Sequence, residues 1–134
     1  MTITEQLLLL AQKARNNAYA PYSNFAVGAA IYTPNGKFFC GCNVENASYP
    51  CGTCAEAGAI ASMVAAGERQ IAEILICADD NCLLPCGNCL QKIAEFAMPN
   101  TLIHSADTHK IVQTCQLANL LPQQFSLEKT SHDK

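Results

Sequence analysis

The sequence predicts an α/β fold, a three-layer α/β/α sandwich around a mixed sheet of roughly five strands. The predicted elements follow the order helix, two strands, helix, strand, helix, strand, strand. The helix over 54–66 and the strand over 71–78 are apolar on nearly every side, which is typical of elements covered on both faces. No internal repeat or linker interrupts the 134 residues. We therefore predict one domain over 1–134, in which about 127–134 form a flexible polar tail.

The first third of the chain is predicted to be a helix followed by a β-hairpin. Thr4–Tyr19 has apolar residues at helical spacing, and Pro21 prevents the helix from continuing through the next segment. Phe25–Tyr32 and Lys37–Val44 are predicted strands. The turn between them, Thr33–Gly36, ends in a glycine that can adopt a positive φ.

The rest of the chain alternates helices and strands. Cys54–Ala66 is a predicted buried helix that Gly67 ends, and Ile71–Ala78 is a predicted central strand. Cys86–Met98 is a second predicted helix, stopped by Pro99. The remaining predicted elements are a loop over Asp79–Pro85 and short strands over Thr101–His104 and Lys110–Thr114.

Composition and charge exclude several classes of function. The formal net charge is −3, and the eight Lys and Arg residues are scattered, so no basic stripe indicates a nucleic-acid partner. The longest apolar runs, such as Leu7–Ala11, are far shorter than a membrane span, and the N-terminus lacks the pattern of a signal peptide. We therefore expect a cytoplasmic protein. In a reducing compartment, its nine cysteines indicate metal ligands or buried thiols in place of disulfides.

Two short clusters carry the chemistry: Thr53-Cys54-Ala55-Glu56 and Pro85-Cys86-Gly87-Asn88-Cys89. Both occur where a loop enters a predicted helix, and a helix N-terminus stabilises thiolates. The sequence therefore predicts one catalytic zinc ion on Cys54, Cys86 and Cys89, with the fourth position open to water. Glu56, two residues from a ligand, is the predicted proton carrier.

Two other uses of the cysteines remain open. Cys51 and Cys54 also form a CxxC pair, which with Cys86 and Cys89 would give a closed, structural four-cysteine zinc site. The 31 residues between the pairs contain a whole helix and strand, unlike the short gap of a zinc ribbon. A redox dithiol is the second alternative.

With both clusters in view, the chain resembles the cytidine deaminase family, specifically its small homotetrameric class. The resemblance covers nearly the whole length and includes the zinc deaminase signature of a ligand, a nearby glutamate and PCxxC. It implies one zinc ion per subunit, sites at subunit interfaces, and hydrolysis of free cytidine or deoxycytidine to uridine or deoxyuridine plus ammonia, as in pyrimidine salvage. The matching motifs are 20–25 (APYSNF), 27–30 (VGAA), 43–49 (NVENASY), 54–56 (CAE), 85–89 (PCGNC) and 120–122 (LLP).

The resemblance also implies which residues contact substrate. Asn43 and Glu45 would bind the ribose hydroxyls, and because they flank Val44 in a predicted strand, both should point to one face. The other implied contacts are Phe25 against the pyrimidine ring, Ala55 in the substrate pocket, Ala47 and Tyr49 near the 5′ end of a neighbour's substrate, and Phe125 closing a neighbouring site.

The chain departs from the family at two positions. The family usually has an arginine after its catalytic glutamate and another after the second cysteine of PCxxC, where this chain has Ala57 and Leu90. We expect a lower rate on cytidine at neutral pH, which an arginine at either position would improve. The departures leave two alternatives: the same chemistry on a modified cytosine nucleoside or related heterocycle, and an inactive relative that binds nucleosides.

Overall fold

The computed structural model describes residues 1–79 and 84–127. It contains a mixed five-stranded sheet with helices packed on it, which confirms the predicted three-layer α/β fold. The strands are β1 (Gly28–Tyr32), β2 (Phe38–Cys42), β3 (Ile71–Cys77), β4 (Ala97–Ala106) and β5 (Ile111–Gln116). The helices are α1 (Ile3–Asn16), α2 (Ala55–Ala65), α3 (Gly87–Phe96) and α4 (Leu117–Leu120), with a 3₁₀ turn at Tyr49–Cys51.

The strand order is β2-β1-β3-β4-β5. β1 pairs antiparallel with both β2 and β3, and β4 pairs antiparallel with β5. Only β3 and β4 are parallel among the described pairs, and α3 lies in the connection between them, as a parallel crossover requires. Consequently α2 and α3 both begin near one end of the sheet.

The core has two layers because successive side chains of each central strand point to opposite faces. On one face, Ile74 and Ile76 of β3 pack with residues of α2 and α3. On the other face, Leu75 and Cys77 pack against α1 through Leu7. The sheet is thus covered on both sides, as the apolar run of β3 predicts.

Two glycines let the helices approach the sheet closely. A Cβ on Gly28 would lie 2.0 Å from the Ala11 carbonyl oxygen of α1. A Cβ on Gly41 would lie 2.4 Å from the Ala59 nitrogen of α2. These contacts fix the position of α2, which carries part of the candidate site.

The prediction for the first helix and the hairpin strands is wrong at three boundaries. The helix ends at Asn16, and Tyr19 forms a parallel bridge with Val44. The first strand begins at Gly28, three residues after Phe25, because the preceding loop is held by side-chain hydrogen bonds. The second strand ends at Cys42 instead of Val44.

The boundary between the second predicted helix and the next strand is also wrong. Pro99 restricts Met98 to extended backbone, and the Met98 N–H is taken by Thr101 Oγ1 at 2.7 Å. The helix therefore ends at Phe96, and β4 already begins at Ala97, which pairs with Ile71. The last helix, α4, is absent from the sequence prediction.

Two predictions fall partly outside the described residues: the loop over Asp79–Pro85, of which 80–83 are not described, and the tail over 127–134, of which only Leu127 is described. Within the described residues, no helix has the length and apolar character that crossing a bilayer requires.

Candidate active site

A cavity of about 630 Å³ opens where α2 and α3 begin. One wall is the segment from Asn43 to Thr53, and the opposite wall is the start of α3. This volume lies within the range of small-molecule sites. The lining residues are Tyr22, Ser23, Asn43, Val44, Glu45, Asn46, Ala47, Tyr49, Gly52, Thr53, Cys54, Cys86, Asn88, Cys89 and Lys92.

All three predicted zinc ligands line this cavity. Cys54 is the N-cap residue of α2, and Cys86 is the N-cap residue of α3. Cys89 lies in the first turn of α3, where it is buried. The two helix N-termini therefore direct their unpaired N–H groups and positive dipole ends toward the sulfur atoms.

Two of these thiols converge with the predicted proton carrier. The Sγ atoms of Cys54 and Cys89 are 2.8 Å apart, and with a carboxyl oxygen of Glu56 they form a cluster within 4.8 Å. The Cys86 sulfur lies outside this cluster, on an exposed residue of the same cavity.

The two close sulfur atoms affect each other's ionisation. Hydrogen bonding between them lowers the pKa of Cys54 to about 5, assisted by the Ala57 backbone N–H. The same hydrogen bond, together with burial, raises the pKa of Cys89. The site thus already favours one thiolate near neutral pH.

Glu56 is a buried carboxyl group, with only 6% of the residue exposed. Burial raises its pKa, and the nearby Cys54 thiolate raises it further. A raised pKa makes the carboxylate a stronger base than an ordinary glutamate, which suits a residue that takes up a proton and then releases it.

The donor set fits a zinc ion. Thiolates at two helix N-termini and a buried carboxyl group converge on one point, where a cation would balance their charge. Cys54, Cys86 and Cys89 are the residues that would hold the ion. Cys51 is exposed in the 3₁₀ turn and is not among the residues that line the cavity or form the cluster.

The predicted ribose contacts lie on the cavity wall. Asn43 and Glu45 both line the cavity, although they follow the end of β2 and are not part of the strand. Glu45 accepts hydrogen bonds from the backbone N–H groups of Tyr22 and Ser23 at 3.0 and 3.1 Å, and its hydrogen bonds, above all the one from the Ser23 hydroxyl, lower its pKa. The Asn43 amide donates to the Phe25 carbonyl oxygen at 2.9 Å.

The other predicted substrate contacts divide into two groups. Ala47 and Tyr49 line the cavity, and Tyr49 is 92% exposed. Phe25, Ala55 and Phe125 are not among the lining residues. Ala55 is fully buried in the core, and the Phe125 carbonyl oxygen accepts a hydrogen bond from Gln91 of α3 at 3.0 Å.

The comparisons with known proteins agree with this geometry. The sequence family described as cytidine and deoxycytidylate deaminase zinc-binding region matches residues 1–105. The chain belongs to this cytidine deaminase family. It is 37% identical over 129 residues to a cytidine deaminase of Sporosarcina psychrophila, covering 96% of this chain and 95% of that one.

Solved structures of the cytidine deaminase family have the same fold. The crystal structure of cytidine deaminase from Burkholderia pseudomallei is 42% identical, with a TM-score of 0.86, and covers 93% of this chain and 100% of that chain. The corresponding structure from Mycobacterium tuberculosis is 34% identical, with a TM-score of 0.82, and covers 95% of this chain and 100% of that chain.

The structure also locates the two positions at which this cytidine deaminase family member lacks arginines. Leu90 is 8% exposed and packs in the core with Ile93, so its side chain does not enlarge the cavity. Ala57 is half-buried near the start of α2. The expectation that an arginine at position 57 or 90 would improve activity stays a prediction, and at position 90 the guanidinium would have to reach past the buried stem of the side chain.

Two of the polar cavity residues to which sequence reasoning gave no role interact with predicted site residues. Lys92 is the only basic residue among the described lining residues, and its charge lowers the pKa values of Cys54 and Glu56. Lys92 follows Cys89 by three residues in a predicted helix, and this spacing puts both side chains on one helix face. The spacing could therefore have identified Lys92 from the sequence. The other residue is Ser23, which belongs to the family motif at 20–25, but the resemblance implies no role for it.

Proposed function

We propose that this cavity catalyses the hydrolytic deamination of free cytidine and deoxycytidine to uridine and deoxyuridine, with release of ammonia, in cytoplasmic pyrimidine salvage. The observation that carries the proposal is the cluster of Cys54, Glu56 and Cys89, in which the two cysteines line a cavity of nucleoside size and the buried Glu56, which is not among the lining residues, lies within 4.8 Å of their sulfur atoms. A structural zinc site would not require a buried carboxyl group beside its sulfurs.

Cys54, Cys86 and Cys89 would hold one zinc ion per subunit. When bound, zinc supplies a Lewis acid that makes a water molecule acidic enough to serve as a nucleophile near neutral pH. The helix N-termini and the Ala57 N–H would stabilise the thiolate charge that the ion attracts.

Glu56 would carry the protons. Its carboxylate removes a proton from the attacking water and delivers one to N3 of the base, which makes C4 more electrophilic. The oxygen of the deprotonated water bonds to C4, and Glu56 takes the second proton from this new hydroxyl group and passes it to the amino group. The C4–N bond then breaks, ammonia leaves, and C4 becomes a carbonyl carbon of the uridine product. Burial raises the pKa of Glu56, which favours the first step because a more basic carboxylate takes the water proton more readily.

The remaining lining residues would orient the nucleoside. Asn43 and Glu45 would bind the ribose hydroxyls, and Phe25 would contact the pyrimidine ring after a small adjustment of its exposed side chain. Ala55 would act through its backbone N–H, which has no acceptor within α2 because it is the first residue of that helix.

We also infer a homotetramer in which neighbouring subunits complete each site. Tyr49, at 92% exposure, and Phe125, at 69%, are large apolar side chains left open to solvent near the cavity. Ala47 lies beside Tyr49 on the same wall. These residues would contact the 5′ end of a neighbour's substrate or close its site.

The direct test is Glu56→Gln, measured by ammonia release from cytidine and deoxycytidine. We expect at least a ~10³-fold loss of kcat with zinc content and fold retained, because the amide cannot carry the proton. Gln113→Glu, on the exposed face of β5, is a control for a Gln/Glu exchange outside the site.

A Glu56→Gln variant as active as wild type would contradict the role of Glu56. N4-substituted cytosine nucleosides and free bases test the alternative substrate, with formation of the uracil product as the readout, because an N4-substituted nucleoside releases an amine and not ammonia. A wild-type chain that forms uridine only from a modified nucleoside would support that alternative, and turnover of any nucleoside would exclude the inactive relative.

A further inference from the structure

The inference concerns Ser23, a cavity residue with no role in the mechanism above, and it rests on the proposed function. The Ser23 hydroxyl donates a short hydrogen bond to Glu45 Oε2. The same hydroxyl oxygen accepts a hydrogen bond from the Phe25 N–H at 3.0 Å. One hydroxyl therefore joins two residues that are proposed to contact the substrate.

The surrounding backbone extends this connection. The Ser23 N–H donates to the other Glu45 oxygen, Oε1, at 3.1 Å. Beyond Phe25, its carbonyl oxygen accepts from the Asn43 amide at 2.9 Å, while Asn43 Oδ1 accepts from the Val27 N–H at 2.9 Å. Glu45, Ser23, Phe25 and Asn43 thus form one hydrogen-bonded unit that borders the cavity.

The backbone of the loop favours this arrangement. Asn24 has φ 57°, a left-handed conformation that asparagine tolerates better than most residues, and its N–H bonds to the Ala20 carbonyl oxygen at 3.0 Å. This tight turn directs the Ser23 side chain back toward Glu45.

We propose that Ser23 is a positioning residue for substrate binding, which holds the Glu45 carboxylate in the orientation that receives the ribose hydroxyls. Without the serine hydroxyl, one carboxylate oxygen loses its charge-assisted hydrogen bond and the Phe25 N–H loses its acceptor. The backbone N–H groups of Tyr22 and Ser23 still hold Oε1, so the carboxylate can pivot about that oxygen and turn Oε2 out of its position. Substrate affinity should fall, whereas the proton transfers at Glu56 should not change.

The side chain of Ser23 is exposed, so its removal leaves no cavity in the core. If Ser23 only supported the loop, its substitution would raise the KM equally for all substrates. If Ser23 acts through Glu45, the substitution should raise the KM only for substrates that have ribose hydroxyls, and only in a protein that still contains Glu45.

The experiment compares Ser23→Ala and Ser23→Thr with wild type by steady-state kinetics on cytidine and on 2′,3′-dideoxycytidine. We expect Ser23→Ala to raise the KM for cytidine about tenfold with kcat within about threefold, the effect expected of one charge-assisted hydrogen bond. Ser23→Thr should restore the KM because it keeps the hydroxyl. With dideoxycytidine, Ser23→Ala and wild type should have the same KM within about threefold.

A double-mutant cycle and a control complete the design. In a Glu45→Ala background, Ser23→Ala should change the KM for cytidine by less than about twofold. Ser62→Ala, at an exposed position on α2, should behave as wild type.

Three results would overturn the proposal for Ser23: an unchanged KM for cytidine, an equal rise for both nucleosides, or a full effect without Glu45. If the wild-type chain releases no ammonia from any nucleoside, the proposed function fails first and the inference fails with it. An active wild type with an indistinguishable Ser23→Ala variant would refute the inference alone.

Discussion

Lys92 is a residue whose charge bears on the whole site. Three thiolates and a carboxylate would carry four negative charges, of which a divalent ion compensates only two. The family resemblance implies arginines at two nearby positions, where this chain has Ala57 and Leu90. Lys92 lines the cavity instead, and none of the ion pairs formed among the described residues involves it. Its ammonium group is therefore available to offset the negative charge of the site.

We predict that Lys92→Met lowers kcat/KM for cytidine about tenfold, within the range typical of groups that support a metal site from outside its ligands. Lys92→Arg should retain most activity because it keeps the charge. Lys13→Met, an exposed substitution in α1, is the matched control. Steady-state kinetics at two salt concentrations measure the effect, and equal losses for the Met and Arg variants would show that charge is not the cause.

Cys51 tests whether the zinc site is open or closed. Cys51 and Cys86 are both exposed and both lie outside the cluster of Cys54, Glu56 and Cys89, but of the two only Cys86 lines the cavity. We therefore expect Cys51→Ser to retain zinc, fold and activity, whereas Cys54→Ser should lose zinc. Metal content by atomic absorption, with circular dichroism for the fold, measures both. Loss of zinc together with unfolding in the Cys51→Ser protein would indicate a structural four-cysteine site.

Single residues of the site could be predicted from the sequence where their spacing matches that of metal ligands and a nearby general base. Cys54, Glu56 and Cys89 could be grouped from sequence because both motifs stand at helix starts, and helix starts bring thiols to one place. Ser23 could not, because its role depends on a loop that folds back on Glu45, a residue 22 positions away. No local pattern encodes that contact.

At the scale of elements, helix α2 and strand β2 form the contact that positions the site. Gly41 and Gly58 face each other there, and a Cβ on Gly58 would be at an ordinary 3.5 Å from Gly41 Cα. A Cβ on Gly41 would instead be 2.4 Å from the Ala59 nitrogen and 2.8 Å from the Ala55 carbonyl oxygen. Backbone atoms of α2 cannot move away from such a clash without shifting Glu56.

We predict that Gly41→Ala destabilises the protein by about 3 kcal/mol, the upper range for overpacking, and also lowers activity through displacement of α2. Gly58→Ala is the matched control on the other side of the contact. It should be neutral or stabilise by up to about 1 kcal/mol because alanine favours a helix interior over glycine. Urea unfolding of both variants checks the difference, and equal stabilities would contradict the close approach.

The order of the elements could be predicted from hydrophobic periodicity, but several boundaries could not. Pro99 predicts a helix that ends at Met98, yet the strand begins at Ala97 because Ile71 of β3 provides a partner for it. The first helix ends at Asn16 because Tyr19 pairs with Val44, which is distant in sequence. Tertiary pairing decides these ends, and periodicity is a local signal.

At the scale of the whole molecule, the exposed aromatic residues around the cavity motivate the proposal that neighbouring subunits complete each site. Tyr22 is 63% exposed, Tyr49 92% and Phe125 69%. Scattered exposed apolar residues need no explanation, but Tyr22 and Tyr49 line the same cavity and Phe125 is anchored beside α3. A neighbouring subunit would cover these side chains and exclude water from the site.

We predict a particle of about four times the 14.4 kDa chain mass, measured by light scattering coupled to size exclusion. Tyr49→Asp should shift the particle toward smaller species and lower kcat/KM by at least about tenfold, because it places a charge where an aromatic contact is needed. Leu9→Lys, at an exposed position of α1 that does not line the cavity, is the control. A wild-type monomer with full activity would contradict the shared site. A Tyr49→Asp protein that remains a tetramer but has reduced activity would show that Tyr49 contacts the substrate and is not needed for assembly.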